Sequence, residues 1–417
     1  MRIIFIFIFI FVQQIAFASY LLIPMDESQK NHLKAYGIAF WALQNDTEVS
    51  WLLNYRGGSF ISSYHREIEE ECMIRGVSYH IVADFQAQKI FNEIARPDMN
   101  MDRVKLEKAP KIAVYSPKSK LPWDDAVTLV LTYAEIPYDI IYDKEIMEGD
   151  LSKYDWLHLH HEDFTGQYGK FYGNYRNIAW YQNNKREMET LAAELGFAKV
   201  SELKKYVVQT IRDYVIRGGF LFAMCSATDT YDIALALGDA DVCGPMFDGD
   251  PYDANVQSKL DFTKTFAFKD FKLSLNPFEY EFSNIDVTSY RKVPKNKDYF
   301  SLFEFSAKWD PVPTMLCQNH ETLIRGFMGQ TTSFNKDLIK SNVLILGEYK
   351  AANEARYIHG EYGKGTWTFY GGHDPADYQH FVGDPKTNLD LHPNSPGYRL
   401  ILNNILFPAA KKKKMKT

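Results

Sequence analysis

The sequence predicts an α/β protein with a doubly wound, mostly parallel sheet, an N-terminal α/β unit and an antiparallel insertion. Two observations support this prediction. Short apolar segments alternate with helical patterns over residues 111–237, which is typical of parallel strands joined by helices. Residues 220–224 are apolar at every position, as expected for a strand that is covered on both faces. We therefore place this strand at the centre of the sheet, next to strands from 111–116 and 155–160.

The chain has 417 residues, which is long for a single hydrophobic core. We divide it by changes in composition and in hydrophobic pattern. The predicted segments are a signal peptide at 1–18, an N-terminal α/β unit at 19–98, a linker at 99–110, the main α/β domain at 111–237 and 343–407, an insertion with β-strands at 238–342, and a basic tail at 408–417.

The first residues resemble a secretory signal peptide. Arg2 precedes an apolar stretch at 3–12, and Ala16-Phe17-Ala18 provides a small-x-small cleavage site before Ser19. The apolar stretch is too short to cross a bilayer, and no later segment has 18 uninterrupted apolar residues. We predict an exported protein, periplasmic or extracellular, that is soluble after cleavage. Its net charge of −6 gives no electrostatic reason to expect nucleic-acid binding.

The N-terminal unit alternates strand and helix patterns, which predicts parallel strands. Its predicted strands are 20–24, 49–55 and 78–83, and its helices are 28–43, 67–74 and 85–95. The main domain continues with strands at 111–116, 138–142, 155–160 and 220–224 and helices at 123–133 and 187–217, the latter broken near Gly196. Residues 161–181 form a long aromatic-rich loop, a type that is often functional.

After the insertion the sheet is expected to resume. The later elements are a strand at 343–348, a hairpin of strands 355–359 and 366–370 around a glycine-rich turn, and a closing helix at 396–406.

Cys225 follows the apolar strand and precedes a helix that Thr228 or Asp229 would cap. A cysteine at such a junction lies at the carboxyl edge of the sheet, where ligands bind in these folds. The nearby helix N-terminus would favour its thiolate form, so Cys225 is a candidate nucleophile. The alternative is that Cys225 is a small buried residue without reactivity.

A cysteine nucleophile needs a base, and His373 is positioned for that role at the end of the strand 366–370. Asp374 or Glu361 would orient its ring. The alternative is that His373 bonds backbone groups in a turn.

The segment 157–163 is rich in histidine and carboxylate side chains. His158 and His160 share one face of a strand, and His161, Glu162 and Asp163 follow in the loop. Zinc binding is one interpretation of this cluster, but metalloprotease spacing is absent. We favour substrate contacts from His160, His161 and Glu162, together with Ser226 and Asp229. We expect no metal and no cofactor.

Two motifs carry a family resemblance. Residues 219–229, with Cys225-Ser226-Ala227-Thr228-Asp229, resemble the central motif of the ThuA-like (trehalose utilisation) proteins. The segment 363–374, with Gly372-His373-Asp374, resembles their second motif, and 398–406 their closing helix. ThuA-like proteins belong to the class I glutamine amidotransferase-like superfamily. The resemblance implies that flavodoxin-like fold for 111–237 and 343–407.

The sequence departs from these relatives at several positions. ThuA-like proteins typically carry a histidine in place of Cys225. Class I amidotransferases flank their cysteine with glycines, where this chain has Ala223 and Ala227, and have a glutamate where Pro375 stands. The whole chain also resembles exported Bacteroidota proteins often labelled asparagine synthetase B. An N-terminal catalytic cysteine and a Ser-Gly-Gly-x-Asp-Ser loop, which that activity requires, are both absent.

Three hypotheses follow. The first is an amidotransferase-like hydrolase in which Cys225 attacks an amide or related carbon and His373 acts as the base. The second is a non-catalytic domain that binds a carbohydrate or peptide ligand. Its contacts would be the aromatic residues Trp123, Tyr168, Phe171, Tyr172 and Trp180. The third is a ThuA-like sugar-processing protein, metal-assisted at 158–163.

Overall fold

The computed structural model describes residues 19–117, 125–317 and 321–410. The predicted signal peptide, Trp123 and most of the basic tail lie outside these residues. The strands are β1 Ser19–Ile23, β2 Val49–Leu53, β3 Ser59–Ser63, β4 His80–Ala83, β5 Asp102–Leu106, β6 Ile112–Tyr115, β7 Asp139–Ile141, β8 Trp156–Leu159, β9 Phe220–Met224, β10 Tyr299–Leu302, β11 Leu323–Arg325, β12 Phe334–Asn335, β13 Leu344–Tyr349, β14 Glu354–Tyr362 and β15 Gly365–Tyr370.

Helices cover both large sheets. They are α1 His32–Gln44, α2 Arg66–Arg75, α3 Asp84–Ala95, α4 Ala126–Tyr133, α5 Asp143–Met147, α6 Tyr172–Tyr175, α7 Ala179–Glu194, α8 Val200–Ile216, α9 Ala227–Leu237, α10 Pro245–Asp248 and α11 Pro396–Leu406. The long helix predicted at 187–217 is two helices that separate around Gly196, as expected, but the first begins eight residues earlier. None of the helices in the described ranges is long and apolar enough to cross a membrane.

The N-terminal sheet is antiparallel, so the prediction of parallel strands there was wrong. Its order is β4-β1-β3-β2-β5, and each neighbouring pair is antiparallel. The cause is β3, which the sequence pattern did not reveal. Left-handed backbone at Asn54, Arg56, Gly57 and Gly58 reverses the chain, and β3 then inserts between β1 and β2. The predicted linker is also partly structured, because it contains the edge strand β5.

The second sheet is mixed rather than mostly parallel. Its order is β11-β10-β13-β14-β15-β9-β8-β6-β7, with β12 paired to β14. The five strands from β15 to β7 are parallel to one another, and those from β15 to β11 are antiparallel. The strands of the insertion, β10, β11 and β12, therefore extend the main sheet. The α/β class is confirmed.

Strand β9 is internal, with parallel neighbours β8 and β15. We expected a strand from 111–116 beside it, but that strand, β6, lies one position farther away. Successive residues of β9 point to opposite apolar layers: Phe222 packs with α1, α4 and α11, and Ala223 packs with α8 and α9. This two-sided burial confirms the interpretation of its apolar sequence.

The hairpin predicted near residue 360 is present. Tyr362 pairs with Gly365, and Gly363 occupies the two-residue turn with a φ of 65°. Strand β15 leaves this turn parallel to β9 and delivers His373 to the same sheet edge as Cys225.

Helices α1, α4 and α11 lie between the two sheets and join them in one apolar core. Polar contacts cross the same layer. The Tyr36 hydroxyl donates to Asn403 Oδ1 over 2.5 Å, and Arg399 Nη2 donates to the Gly57 carbonyl over 2.8 Å.

Candidate functional site

Cys225 occupies a sharp turn between β9 and α9. Its φ is 55°, a left-handed conformation that non-glycine residues rarely adopt. Strained backbone of this kind concentrates at functional sites, and a strand-to-helix elbow is a recurrent way to present a nucleophile. The Ala227 N–H donates to the His160 carbonyl over 2.9 Å, which fastens the start of α9 to the end of β8.

A cavity of about 310 Å³ opens over this sheet edge. Cys225 and His373 form part of its wall, as does His161. The remaining lining residues come from the short helix α6, from loops and from the insertion: Phe171, Asn174, Tyr175, Tyr280, Thr288, Met328, Gly329, Gln330, Gln379, His380, Phe381 and Val382. The insertion therefore covers part of the site.

The structure brings Cys225, His373 and His160 together. One donor atom from each of these three buried residues lies within 4.8 Å of the other two. One ring nitrogen of His373 thus lies no more than 4.8 Å from the Cys225 sulfur, and the two atoms must approach to hydrogen-bond distance for proton transfer.

Asp125, His160 and His373 form a row of polar side chains, in which the two histidines are hydrogen-bonded. Asp125 Oδ2 lies 3.1 Å from His160 Nδ1, and His160 Nε2 lies 2.9 Å from His373 Nδ1. The carboxylate of Asp125 is an acceptor, because the neighbouring histidines hold its pKa well below its ordinary value despite burial. A carboxylate 3.1 Å from Nδ1 favours the His160 tautomer with its proton on that nitrogen, and His160 Nε2 then accepts a hydrogen bond from His373 Nδ1–H. His373 Nε2 is then left with a lone pair.

Asp125 was missed at the sequence level because it also has an ordinary structural role. Its Oδ1 accepts from the Thr128 N–H over 2.8 Å and so caps α4. Its other oxygen contacts both His158 and His160 at 3.1 Å. The only available signal was an aspartate at a helix start beside a predicted strand end, which is too common to identify a site.

The environment of Cys225 favours a neutral thiol, the alternative to the thiolate. Burial raises the pKa of the Cys225 thiol to about 12, and the backbone N–H groups of Ser226 and Gln330 offset this only in part. Burial, followed by the neighbouring His160, His161 and His380, also holds the pKa of His373 well below its ordinary value. A neutral thiol therefore faces a neutral imidazole, so any nucleophile must form by proton transfer during attack.

Asp374 and Glu361 do not orient His373. Asp374 Oδ1 accepts from the Ala376 and Asp377 N–H groups and closes the local turn. Glu361 is exposed beside the hairpin turn, where it pairs with Thr366 at the far end of the sheet. The orienting group is His160, on a neighbouring loop.

The other predicted contact residues divide into two groups. His161 lines the cavity, and His160 lies behind His373. Ser226, Asp229 and Glu162 are buried and are not part of the cavity wall that the described residues form. Asp229 Oδ1 accepts from Thr331 Oγ1 over 2.9 Å beneath the elbow, and burial together with Asp286 raises its pKa well above its ordinary value.

Glu162 faces a buried charged cluster rather than the cavity. Its Oε2 lies 3.3 Å from the Tyr142 hydroxyl and 3.9 Å from Lys204 Nζ. Lys204 is fully buried and is paired with Asp143 at 3.0 Å. The positive charge of Lys204 is thus already balanced by Asp143. Burial raises the pKa of Glu162 to about 7, although Lys204 acts in the opposite direction.

This arrangement predicts a pH-dependent stability. A raised folded-state pKa means that stability is fully present below the unfolded-state value of about 4.3 and is lost as pH rises through about 7. Glu162→Gln should therefore stabilise the protein relative to wild type at pH 8, by on the order of 2 kcal/mol, and much less at pH 4.5. Denaturant unfolding at both pH values checks this. Exposed Glu187→Gln is the control, and an equal effect of Glu162→Gln at both pH values would contradict the assignment.

Aromatic residues of the loop 161–181 also approach the cavity. Phe171 lines it and packs against Tyr175, Trp180 and Tyr280, with ring centroids 5.7–5.8 Å apart. Of the described residues in the binding hypothesis, Phe171 is the one in the cavity wall. Trp180 packs against it, whereas Tyr168 packs against Tyr181, and Tyr172 packs against Phe247 and Phe278.

Comparisons with known proteins identify no family. No family model matches the chain, and no curated protein matches it. Among solved structures, two cytoplasmic proteins of Salmonella typhimurium are similar over 72% of this chain and 100% of their own, at 11% and 13% identity, with TM-scores of 0.34 and 0.36. A β-galactosidase of Bacillus circulans sp. alkalophilus is similar over 73% of this chain and 32% of its own, at 12% identity and a TM-score of 0.24. Such low scores support no conclusion about fold or activity.

Proposed function

We propose that this protein is a thiol-dependent hydrolase of the class I glutamine amidotransferase-like type, acting on an amide or a related acyl compound. The observation that carries the proposal is Cys225, strained at a strand-to-helix elbow in a cavity wall, within 4.8 Å of a ring nitrogen of His373. The strand order β7-β6-β8-β9-β15 supports the fold assignment, because in chain order it is 2-1-3-4-5, the flavodoxin-like arrangement.

In the proposed reaction His373 Nε2 removes the thiol proton as the sulfur bonds to the carbonyl carbon. The backbone N–H groups of Ser226 and Gln330, which already point to the sulfur, are available to the developing oxyanion. The carbon–nitrogen bond then breaks, and His373 returns the proton to the leaving amine. Water, deprotonated by His373, hydrolyses the thioester and restores the thiol. His160, beside Asp125, holds the other ring proton of His373 on Nδ1, so that Nε2 alternates between free base and protonated acid.

Alkylation by iodoacetamide tests whether Cys225 is reactive. Because its pKa is raised, we expect slow labelling at pH 6 and an increase with pH, and Cys225 should label faster than the other cysteines because it lines the cavity. Cys72, Cys243 and Cys317 are buried and act as internal controls. Equal labelling of all four cysteines, or no labelling of Cys225 in the folded protein, would favour the non-catalytic binding hypothesis.

A second candidate is a metal-assisted hydrolase. Its supporting observation is that His160, Cys225 and His373 offer two imidazoles and a thiol within 4.8 Å, with Asp125 behind His160 as a second-sphere carboxylate. Three such ligands with an open position are typical of catalytic zinc. Metal analysis of protein purified without chelators decides between the candidates. A stoichiometric metal in the wild-type protein that is absent from Cys225→Ala would favour the metal-assisted hydrolase over the thiol mechanism.

We also propose export, supported by the signal-peptide pattern at 1–18. N-terminal sequencing of protein from the native host should begin at or near Ser19, and an intact Met1 would contradict it.

A further inference from the structure

We infer that the cavity beside Cys225 accepts an uncharged amide no larger than an N-acylated monosaccharide. This inference rests on the proposed function for the bond that is cleaved, but the class of ligand follows from the cavity wall itself. It excludes free amino acids, phosphorylated compounds and sugar acids, including the free glutamine that the superfamily resemblance would suggest.

The first argument is charge. Within the described parts of the chain, the cavity wall contains no aspartate, glutamate, lysine or arginine side chain. An amino-acid ligand would place a carboxylate and an ammonium group in the cavity with no oppositely charged partner. Removing such groups from water without a partner is costly. The wall also holds the histidines His161, His373 and His380, of which His373 is hydrogen-bonded to His160 at 2.9 Å and His380 is paired with Asp377 at 3.0 Å.

The second argument is the chemistry of the wall. Phe171, Tyr175 and Tyr280 form an aromatic cluster in the wall, with ring centroids 5.8 Å from Phe171 to each of the other two, edge-to-face for Tyr175 and tilted for Tyr280. The amide side chains of Asn174 and Gln379 lie in the same wall. Aromatic faces pack well against the C–H faces of sugar and other neutral rings, while amides donate and accept hydrogen bonds with hydroxyl and amide groups. The combination fits a polar but uncharged ring.

The third argument is size. A volume of about 310 Å³ is at the lower end of ligand pockets. The enclosed part accommodates one substituted ring, and any longer portion of a ligand would lie in solvent at the open side of the cavity. Phe381, which is 59% exposed, is part of the wall.

Binding to the full-length Cys225→Ala variant tests the inference separately from catalysis. The probes are N-acetylglucosamine, which is uncharged, glucosamine, which is cationic, and N-acetylmuramic acid, which is anionic. We expect the uncharged probe to bind at least about 10-fold more tightly than either charged probe by calorimetry. Tyr175→Ala should weaken this binding, whereas exposed Trp309→Ala, outside the cavity, should not.

Equal or tighter binding of a charged probe, or no binding of any of the three, overturns the inference. Acetate release from N-acetylglucosamine by the wild-type protein is the separate test of catalysis. Binding of the uncharged probe without any hydrolysis would contradict the proposed function and leave the ligand class intact. Hydrolysis of a charged amide such as glutamine would support the proposed function and contradict the ligand class.

Discussion

Replacement of Cys225 by alanine or serine should abolish hydrolysis, with a fall in kcat/KM of at least about 10³-fold. Alanine removes the attacking sulfur, and serine replaces it with a much weaker nucleophile beside an imidazole that is held neutral by burial. Both side chains are close to cysteine in size, so the elbow should still form. Steady-state assays with the substrate identified by the binding experiment measure the effect.

The matched control is Cys243→Ser, because Cys243 is also buried but lies away from the cavity, where its sulfur contacts the Thr165 carbonyl at 3.3 Å. Circular dichroism and urea midpoints should show that the Cys225 variants are folded. Retention of more than a tenth of the activity in folded Cys225→Ala would show that the thiol is not the nucleophile.

His373→Gln should cost about 10² to 10⁴-fold in kcat, since it removes the base. Asp125→Asn should cost less, about 10 to 10²-fold, because an amide can still contact His160 Nδ1 but no longer fixes its tautomer by charge. Since the pKa of His373 is lowered, the wild-type base stays deprotonated as pH falls, and kcat should hold until well below pH 6.5. Measurement of kcat as a function of pH checks whether the rate is still constant at pH 6.5.

A purely structural role for these residues predicts a different pattern. In that case Asp125→Asn would lower the urea midpoint and leave kcat of the folded fraction unchanged. The control is Asp374→Asn, which perturbs a turn next to His373 without contacting Asp125 or His160. An equal loss of kcat in Asp374→Asn and Asp125→Asn would contradict the assigned roles.

The sequence predicted the elements whose pattern is set locally. The apolar run at β9 could only be a buried strand, and the glycines after Tyr362 required a reversal, so β9, β14 and β15 were placed correctly. Because parallel strand ends meet at one edge, it also followed that Cys225 and His373 would be near each other. In contrast, β3 is a short strand after a left-handed turn, and its pairing between β1 and β2 depends on contacts that no local pattern encodes.

The electrostatics of the site could not be derived in the same way. A helix N-terminus suggested a thiolate at Cys225, but complete burial outweighs that effect, and burial is a property of the folded insertion. The partner of His373 was sought next to it in sequence, at Asp374. It is instead His160, 213 residues away, whose ring is in turn held by a helix-capping aspartate. Such chains depend on tertiary geometry.

The most direct test of the central claim is to trap the acyl-enzyme. The protein is mixed with p-nitrophenyl acetate, quenched in acid within the first turnover and analysed by intact and peptide mass spectrometry. The account predicts one acetyl group per chain, a thioester on Cys225 that hydroxylamine removes, and far less of it in His373→Gln. Acetylation spread over lysines, with Cys225 unmodified in the wild-type protein, would contradict the account.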